Sequence, residues 1–170
     1  MSIIEWGFKP HENDVLLRAM QKVAAKYNFE IGVNWCDGWL YYDWITKIYP
    51  EINNRETKTE YMVQCYQYLV DSVFSGPTAP IVKDRPVFYH FGPGATVEEF
   101  QQVLSSIQLP EGMKQPVGLR RWADWGKIEN EKYIPITQSE EIDNWVKLGE
   151  IPTAWLPARV RERNEEFAEW

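Results

Sequence analysis

The chain has 170 residues, with 18 Lys and Arg against 25 Asp and Glu, so its formal net charge is -7. Surface scaling at 20.1 kDa predicts that about 70% of the extended chain's surface can be buried on folding, which is enough for one domain with its own core. A hydrophobic fraction of 44% excludes a largely disordered, collagen-like or membrane composition. Nine Trp, nine Tyr and seven Phe are the unusual feature, and composition alone does not reveal a function.

Targeting and redox features are few. No apolar run is long enough to cross a bilayer, and residues 1–10 lack the basic segment and apolar core of a secretory signal, which predicts a cytoplasmic protein without a membrane partner. Cys36 and Cys65 have no CxxC spacing, so both are predicted to be reduced thiols. The negative charge argues against nucleic acid as a partner and leaves a basic protein open.

The first part of the chain is predicted to form a helix and then a β-hairpin. Residues 13–27 repeat apolar side chains at helical spacing. Residues 28–35 alternate with a two-residue period, and Asp37-Gly38 follows as a typical type I′ turn. A two-residue loop there gives a self-consistent register over residues 28–46, with every inward position apolar or aromatic.

The remainder of the chain is predicted to alternate helices with short strands. Thr57 with Glu60, and Thr96 with Glu99, have the spacing of a capping box at the start of a helix. Strands are predicted at 85–91, 116–122 and 133–137, and further helices from Ser139 to Gly149 and at about 157–168. The order predicts one α+β domain over 1–170: a mixed or antiparallel sheet of about four to five strands, with helices packed on it and a peripheral C-terminal helix.

The aromatic residues lead to the first functional hypothesis. The predicted hairpin projects two aromatic residues and a carboxylate from the face opposite the core, and residues 114–132 are locally basic with interleaved Trp. Trp, Tyr and Arg often dominate the binding energy of protein interfaces. The residues assigned to this surface are Trp39, Tyr41, Asp43, Arg120, Arg121, Trp122 and Trp125. They predict a non-enzymatic, acidic protein-binding domain of the inhibitor, immunity or adaptor type, and they are compatible with a homo-oligomer.

The alternative hypothesis is a small hydrolase or transferase. Its pocket would lie near His90 and the hairpin at 28–46, with His90 as general base, Asp37 or Asp43 as general acid and Tyr41 as hydrogen-bond donor. No GxSxG or HExxH motif supports a particular reaction. A satisfied or partly exposed structural role for the histidine and solvated roles for the carboxylates are the competing interpretation.

Motifs for cofactors and metals are missing. The turn from Phe91 to Gly94 precedes a helix start, but Glu98 and Glu99 in the first turn of that helix would repel a phosphate. Neither histidine has the spacing of a metal ligand. The sequence therefore predicts no cofactor and no metal.

Overall fold

The computed structural model describes residues 2–3, 12–90, 94–121, 126–129, 132–135 and 139–153, with side chains at 15–38, 40–90, 94–120, 132 and 142–149. The strands are β1 (Ser2–Ile3), β2 (Val33–Trp35), β3 (Ile81–Val82), β4 (Arg85–His90), β5 (Val117–Arg121), β6 (Gly126–Glu129), β7 (Lys132–Pro135) and β8 (Glu150–Thr153). The helices are α1 (Glu12–Lys26), α2 (Asp43–Ile48), α3 (Arg55–Leu69), α4 (Val97–Ser106) and α5 (Ser139–Lys147), with a 3-10 turn at Asp37–Tyr41 and a π-helical turn at Val70–Phe74. Within these ranges, no helix is long and apolar enough to cross a membrane.

The main sheet consists of parallel strands that follow one another in chain order. Its order is β1-β2-β4-β5-β8, and each of these pairings is parallel. β3 adds antiparallel to β4 through a turn in which Lys83 and Asp84 both have positive φ, 51° and 65°, as a type I′ turn requires. β6 and β7 form a separate antiparallel hairpin. The predicted mixture of helices and strands is confirmed, but the sheet is mostly parallel and not antiparallel.

One face of the sheet contacts helices. Trp35, His90 and Arg120 are Cα partners across β2, β4 and β5, and paired residues of adjacent strands project to the same side. Tyr66 of α3 makes an edge-to-face contact with Trp35 at a centroid distance of 5.5 Å, and Phe100 of α4 makes one with His90 at 5.1 Å. We call this side the covered face.

The opposite side, which we call the open face, carries Asn34, Tyr89 and Leu119 in register, with Val87 and Val117 two residues earlier on β4 and β5. The four residues of β4 and β5 are half-buried, whereas Asn34 is only 3% exposed. Because the strands run in chain order, right-handed crossovers put the connecting helices on a single face. This is the winding found in barrels of alternating strands and helices.

The predicted hairpin over 28–46 is wrong. β2 lies between β1 and β4, so residues 39–44 have no strand edge of β2 to pair with. They continue into the 3-10 turn and α2, where Leu40, Tyr41 and Ile45 are buried. The spacing of these buried residues, one and then four positions apart, is typical of one face of a helix. The apolar residues of this stretch therefore fit a helical repeat as well as the two-residue alternation of a strand.

The helix starts are set by local side-chain caps. The box at Thr96 is confirmed: its hydroxyl accepts from the Glu99 N–H at 3.3 Å, and Glu99 Oε2 accepts from the Thr96 N–H at 2.7 Å. α3 begins earlier than predicted, because Asn54 is its cap and Thr57 the reciprocating residue. Neither Cys36 nor Cys65 forms a disulfide, as predicted. The single domain stays a prediction, and the helix predicted at 157–168 lies outside the described residues.

Candidate functional site

Three charged or polar side chains meet at the carboxyl ends of β2, β4 and β5. Asp37 follows β2, His90 ends β4, and Arg120 is the fourth residue of β5; each is 0% exposed. Arg120 Nη1 lies 3.8 Å from Asp37 Oδ1, and Arg120 Nη2 donates to His90 Nδ1 at 2.9 Å. Because the carboxyl ends of parallel strands share one edge of the sheet, the winding brings these distant residues together. With Tyr66 they form what we call the edge network.

The hydrogen bonds of His90 indicate its tautomer. A guanidinium can only donate, so Nδ1 of His90 accepts from Arg120 and carries no proton. The proton of the neutral ring is then on Nε2, which lies 2.5 Å from Tyr66 Oη and donates to it. Both ring nitrogens are therefore engaged inside the protein. The predicted role of general base needs a nitrogen that can reach a substrate, and here both nitrogens contact protein side chains.

Aromatic rings surround the Arg120 guanidinium. Its Cζ lies 4.6 Å from the ring centroid of Trp145 and 6.0 Å from that of Phe100. Cation–π contacts of this kind are strongest where water is excluded. A buried charge is tolerated only when it is paired and hydrogen-bonded, and here Asp37, His90 and the two rings supply those partners.

The loops after β2 and β4 are joined through Asp37. Its Oδ2 accepts from the backbone N–H of Ala95 at 3.1 Å. Gly94 makes this approach geometrically feasible, because a Cβ there would lie 2.8 Å from the Asp37 carbonyl group and from the Gly38 nitrogen. Gly94 thus packs the residues before α4 against those that follow β2.

Three polar atoms at the end of β2 have no hydrogen-bond partner in the part of the chain that the structure describes: Asn34 Oδ1, Trp35 Nε1 and Asp37 Oδ1. The three residues are at most 3% exposed. Buried polar groups in folded proteins nearly always find a partner. Asn34 lies on the open face and Trp35 on the covered face, so a bound molecule that completes this hydrogen bonding has to lie across the carboxyl end of β2.

A second cluster lies at the starts of α3 and α4. Tyr41 donates to Glu99 Oε2 at 3.2 Å, and Arg55 binds the same carboxylate through Nε at 2.5 Å and Nη2 at 2.7 Å. Burial, followed by the negative charge of Glu99, raises the pKa of Tyr41 well above its ordinary value. Burial, followed by the charge of Arg55, lowers the pKa of Lys58. Tyr41 is thus a protonated internal donor that holds Glu99.

The predicted interface residues are divided by the structure. Tyr41 and Arg120 are 6% and 0% exposed, so neither offers contact area to a partner. Asp43 is exposed at the start of α2. The side chains of Trp39 and Arg121, and all of Trp122 and Trp125, lie outside the described residues. Of the alternative catalytic set, the structure brings Asp37 and His90 together through Arg120.

Four residues of this edge were not identified from the sequence: Asn34, Trp35, Tyr66 and Trp145. The sequence did contain a signal for Asn34, because it is a polar residue inside an otherwise apolar strand. In the structure Asn34 is buried on the open face. Tyr66 and Trp145 belong to helical apolar stripes, which indicate burial but not a polar contact. Their contacts depend on long-range packing.

No protein-family model, curated protein or solved structure matches this chain. Among the described residues, no group of three His, Cys, Asp or Glu side chains is placed to hold a metal ion. The function is therefore inferred from the geometry of the carboxyl edge.

Proposed function

We propose that the protein binds a small, neutral, hydroxyl-bearing molecule at the carboxyl edge of its parallel sheet, in a site of the hydrolase or transferase type. The observation that carries the proposal is a group of polar atoms at the end of β2 that have no hydrogen-bond partner among the described residues: Asn34 Oδ1, Trp35 Nε1 and Asp37 Oδ1. By analogy, parallel sheets with connecting helices bind their ligands outside the carboxyl ends of the strands. Here the unpaired atoms lie at that edge.

The unpaired atoms favour a particular ligand chemistry. Asn34 and Asp37 offer acceptor oxygens, and Trp35 offers an N–H. A hydroxyl group can donate to one of these oxygens or accept from the N–H, so a molecule with several hydroxyl groups can satisfy all three. The net charge of -7 disfavours a phosphorylated or otherwise anionic ligand. A neutral polyol or sugar satisfies both conditions.

The edge network holds this site in place, and His90 does not contact the ligand. Arg120 joins the end of β5 to His90 and Asp37, and Asp37 in turn holds the loop at Ala95. A site keeps its geometry when the groups behind it are fixed by hydrogen bonds and packing. We assign His90 and Arg120 the role of positioning residues, whereas Asp37 offers Oδ1 to the ligand and holds the loop at Ala95 through Oδ2.

A thermal-shift experiment with neutral sugars and polyols tests the proposal. For a dissociation constant near 1 mM, a panel member at about 10 mM stabilises the protein by about 1.4 kcal/mol. Asn34→Leu removes a buried side-chain oxygen that has no hydrogen-bond partner among the described residues, so the stability of this variant is expected to be unchanged or higher. Its response to the ligand is expected to disappear.

Thr78→Val is the matched control. The Thr78 hydroxyl is also buried, and it has no hydrogen-bond partner among the described residues, but the residue precedes β3 and is not at the carboxyl edge. This variant is expected to keep the ligand response of the wild type. The proposal fails if no panel member stabilises the wild type, or if Asn34→Leu responds as the wild type does.

Association with another protein is the second candidate function, and a different observation favours it. Val15, Leu16 and Val23 lie on α1 and are more than half exposed, and beyond the helix Tyr27 is 79% and Phe29 67% exposed. Contiguous exposed apolar surface on a protein often marks an interaction site. The predicted protein-binding role is therefore proposed for α1 and not for the surface around Tyr41 and Arg120.

A further inference from the structure

A polar pocket lies where the chain enters β2, at the opposite edge of the sheet from the carboxyl edge. Its volume is about 550 Å³, which is within the range of pockets that hold small molecules. It is lined by Ala25 near the end of α1, by residues 28–30, which lead into β2, and by residues 77–78, which precede β3. We call it the amino-side pocket.

Backbone hydrogen bonds hold the walls of the amino-side pocket in place. The Ile31 N–H donates to the Thr78 carbonyl at 2.8 Å, and the Phe29 N–H donates to the Ala24 carbonyl at 3.0 Å. Between α1 and β2, Asn28 has a φ of 52°, the left-handed conformation in which helices commonly end. The two lining segments are therefore fixed against each other by the fold itself.

The side chain of Thr78 provides a polar group that the protein does not satisfy. Thr78 is 2% exposed, and its hydroxyl has no hydrogen-bond partner among the described residues. Leaving a buried hydroxyl without a partner costs free energy, and folded proteins rarely do so. Because Thr78 lines the amino-side pocket, a polar group bound there can supply the missing hydrogen bond.

The charges around the amino-side pocket favour a cation. Glu30 carries the only charge among the described residues that line it. The pocket also adjoins the carboxyl end of α1, where the helix dipole is negative. Phe29 is 67% exposed and lines the pocket with an aromatic ring, and cations bind to the faces of such rings. The net charge of -7 attracts cations to the molecule as a whole.

We propose that the amino-side pocket binds a small molecule that carries a primary ammonium group. Such a group has three N–H donors, so it can donate to the Thr78 hydroxyl, whereas a quaternary ammonium cannot. The Glu30 carboxylate and the Phe29 ring attract the same positive charge. This site goes beyond the proposed function, because it is at the other edge of the sheet and takes a ligand of different chemistry.

Isothermal titration calorimetry of the full chain near neutral pH tests the proposal. The probes are butylammonium chloride, its uncharged analogue 1-butanol, and tetramethylammonium chloride. Butylammonium is expected to bind with a dissociation constant of about 1 mM. Neither 1-butanol, which lacks the charge, nor tetramethylammonium, which lacks the N–H donors, is expected to bind as tightly.

Variants of two lining residues locate the site. Thr78→Val is expected to raise the dissociation constant of butylammonium at least about 10-fold, the effect of losing a hydrogen bond to a charged group. Thr78→Ser keeps the hydroxyl and is expected to bind as the wild type does. Glu30→Gln is expected to weaken binding several-fold, because Glu30 is exposed and solvent screens its charge. Glu60→Gln is the matched control, because Glu60 is an exposed glutamate on α3.

Four results would overturn the proposal. They are a wild type that does not bind butylammonium at about 10 mM, equally tight binding of 1-butanol or tetramethylammonium, unchanged binding in Thr78→Val, and an equal loss in Glu30→Gln and Glu60→Gln. Asn34→Leu keeps this site apart from the carboxyl edge. It is expected to bind butylammonium as the wild type does while losing the response to sugars and polyols, and Thr78→Val is expected to show the reverse.

Discussion

Replacing Arg120 by Met tests the edge network most severely. The substitution keeps an unbranched apolar side chain against Trp145 and removes the charge that faces Asp37 Oδ1 at 3.8 Å. It also removes the donor to His90 Nδ1. Asp37 is 0% exposed, so water cannot replace the lost cation without opening the structure. The carboxylate is left buried and uncompensated.

The expected magnitude follows from the burial of this pair. Removing one partner of a buried ion pair costs about 3–5 kcal/mol of unfolding free energy. For a protein of this length, that lowers the melting temperature by about 6–20 °C. In the double variant Asp37→Asn/Arg120→Met no charge remains, so its loss is expected to be smaller than the sum of the single losses by about 0.5–3 kcal/mol.

Urea unfolding followed by tryptophan fluorescence measures these losses. The matched control is Lys114→Met, because Lys114 forms an ion pair of 3.1 Å with Asp84 in which both side chains are more than half exposed. That pair is worth at most about 1 kcal/mol. Arg120→Lys retains the charge and provides a measurable variant if Arg120→Met does not fold. A loss from Arg120→Met as small as that from Lys114→Met would refute the network.

Three further predictions concern the loops and caps. Gly94→Ala puts a Cβ 2.8 Å from the backbone of Asp37 and is expected to lower the free energy of unfolding by about 1–3 kcal/mol. Gly32→Ala is the control, because its Cβ meets only a side-chain atom at 3.6 Å. Equal melting temperatures of the two variants would contradict the close loop packing. Thr96→Ala removes the cap of α4 and is expected to cost about 1 kcal/mol in urea unfolding; a change within error would show that the cap is dispensable. Because the pKa of Tyr41 is raised by burial and then by Glu99, the folded state keeps the phenol proton when an unfolded tyrosine ionises. The contribution of Tyr41 to stability is therefore full below about pH 10, and above that pH it falls by at most about 1.4 kcal/mol per pH unit. Tyr41→Phe is expected to make the fall in unfolding free energy less steep. Parallel pH profiles of the wild type and Tyr41→Phe would contradict this prediction.

Local signals were sufficient for most of the helices. The apolar stripe of α1 and the capping box at Thr96 involve residues within four positions of one another, and both predictions agree with the structure. The start of α3 was misplaced because Thr57 is polar at the right spacing to be a cap, although it serves as the partner of Asn54. Such errors move a boundary but leave the element in place.

The parallel sheet was missed because of one segment. Residues 39–44 carry apolar side chains that fit two periods, and Asp37-Gly38 favoured the turn of a hairpin. Taken as a helix, this segment makes strands and helices alternate along most of the chain, which predicts a parallel sheet. Whether this segment forms a strand or a helix depends on the pairing of β2 with β1 and β4, which leaves no edge of β2 for it. These pairings join residues far apart in the sequence.

The site was found in part. Asp37 and His90 were identified as polar residues near glycine turns, and Arg120 as a surface cation. Their burial and mutual contacts follow from strand register, which brings residues far apart in sequence to one edge. A single sequence gives the residue types at such an edge, but not which of them face one another.

Chemical-shift mapping of the carboxyl edge is the measurement that tests the central claim most directly. In amide spectra of the full chain titrated with the sugars and polyols to about 10 mM, the account predicts that the shifted resonances concentrate at Asn34–Gly38 and at Ala95. Residues at the opposite edge of the sheet, such as Lys83, should not shift. Shifts confined to that opposite edge, or no shift with any compound of the panel, would contradict the account.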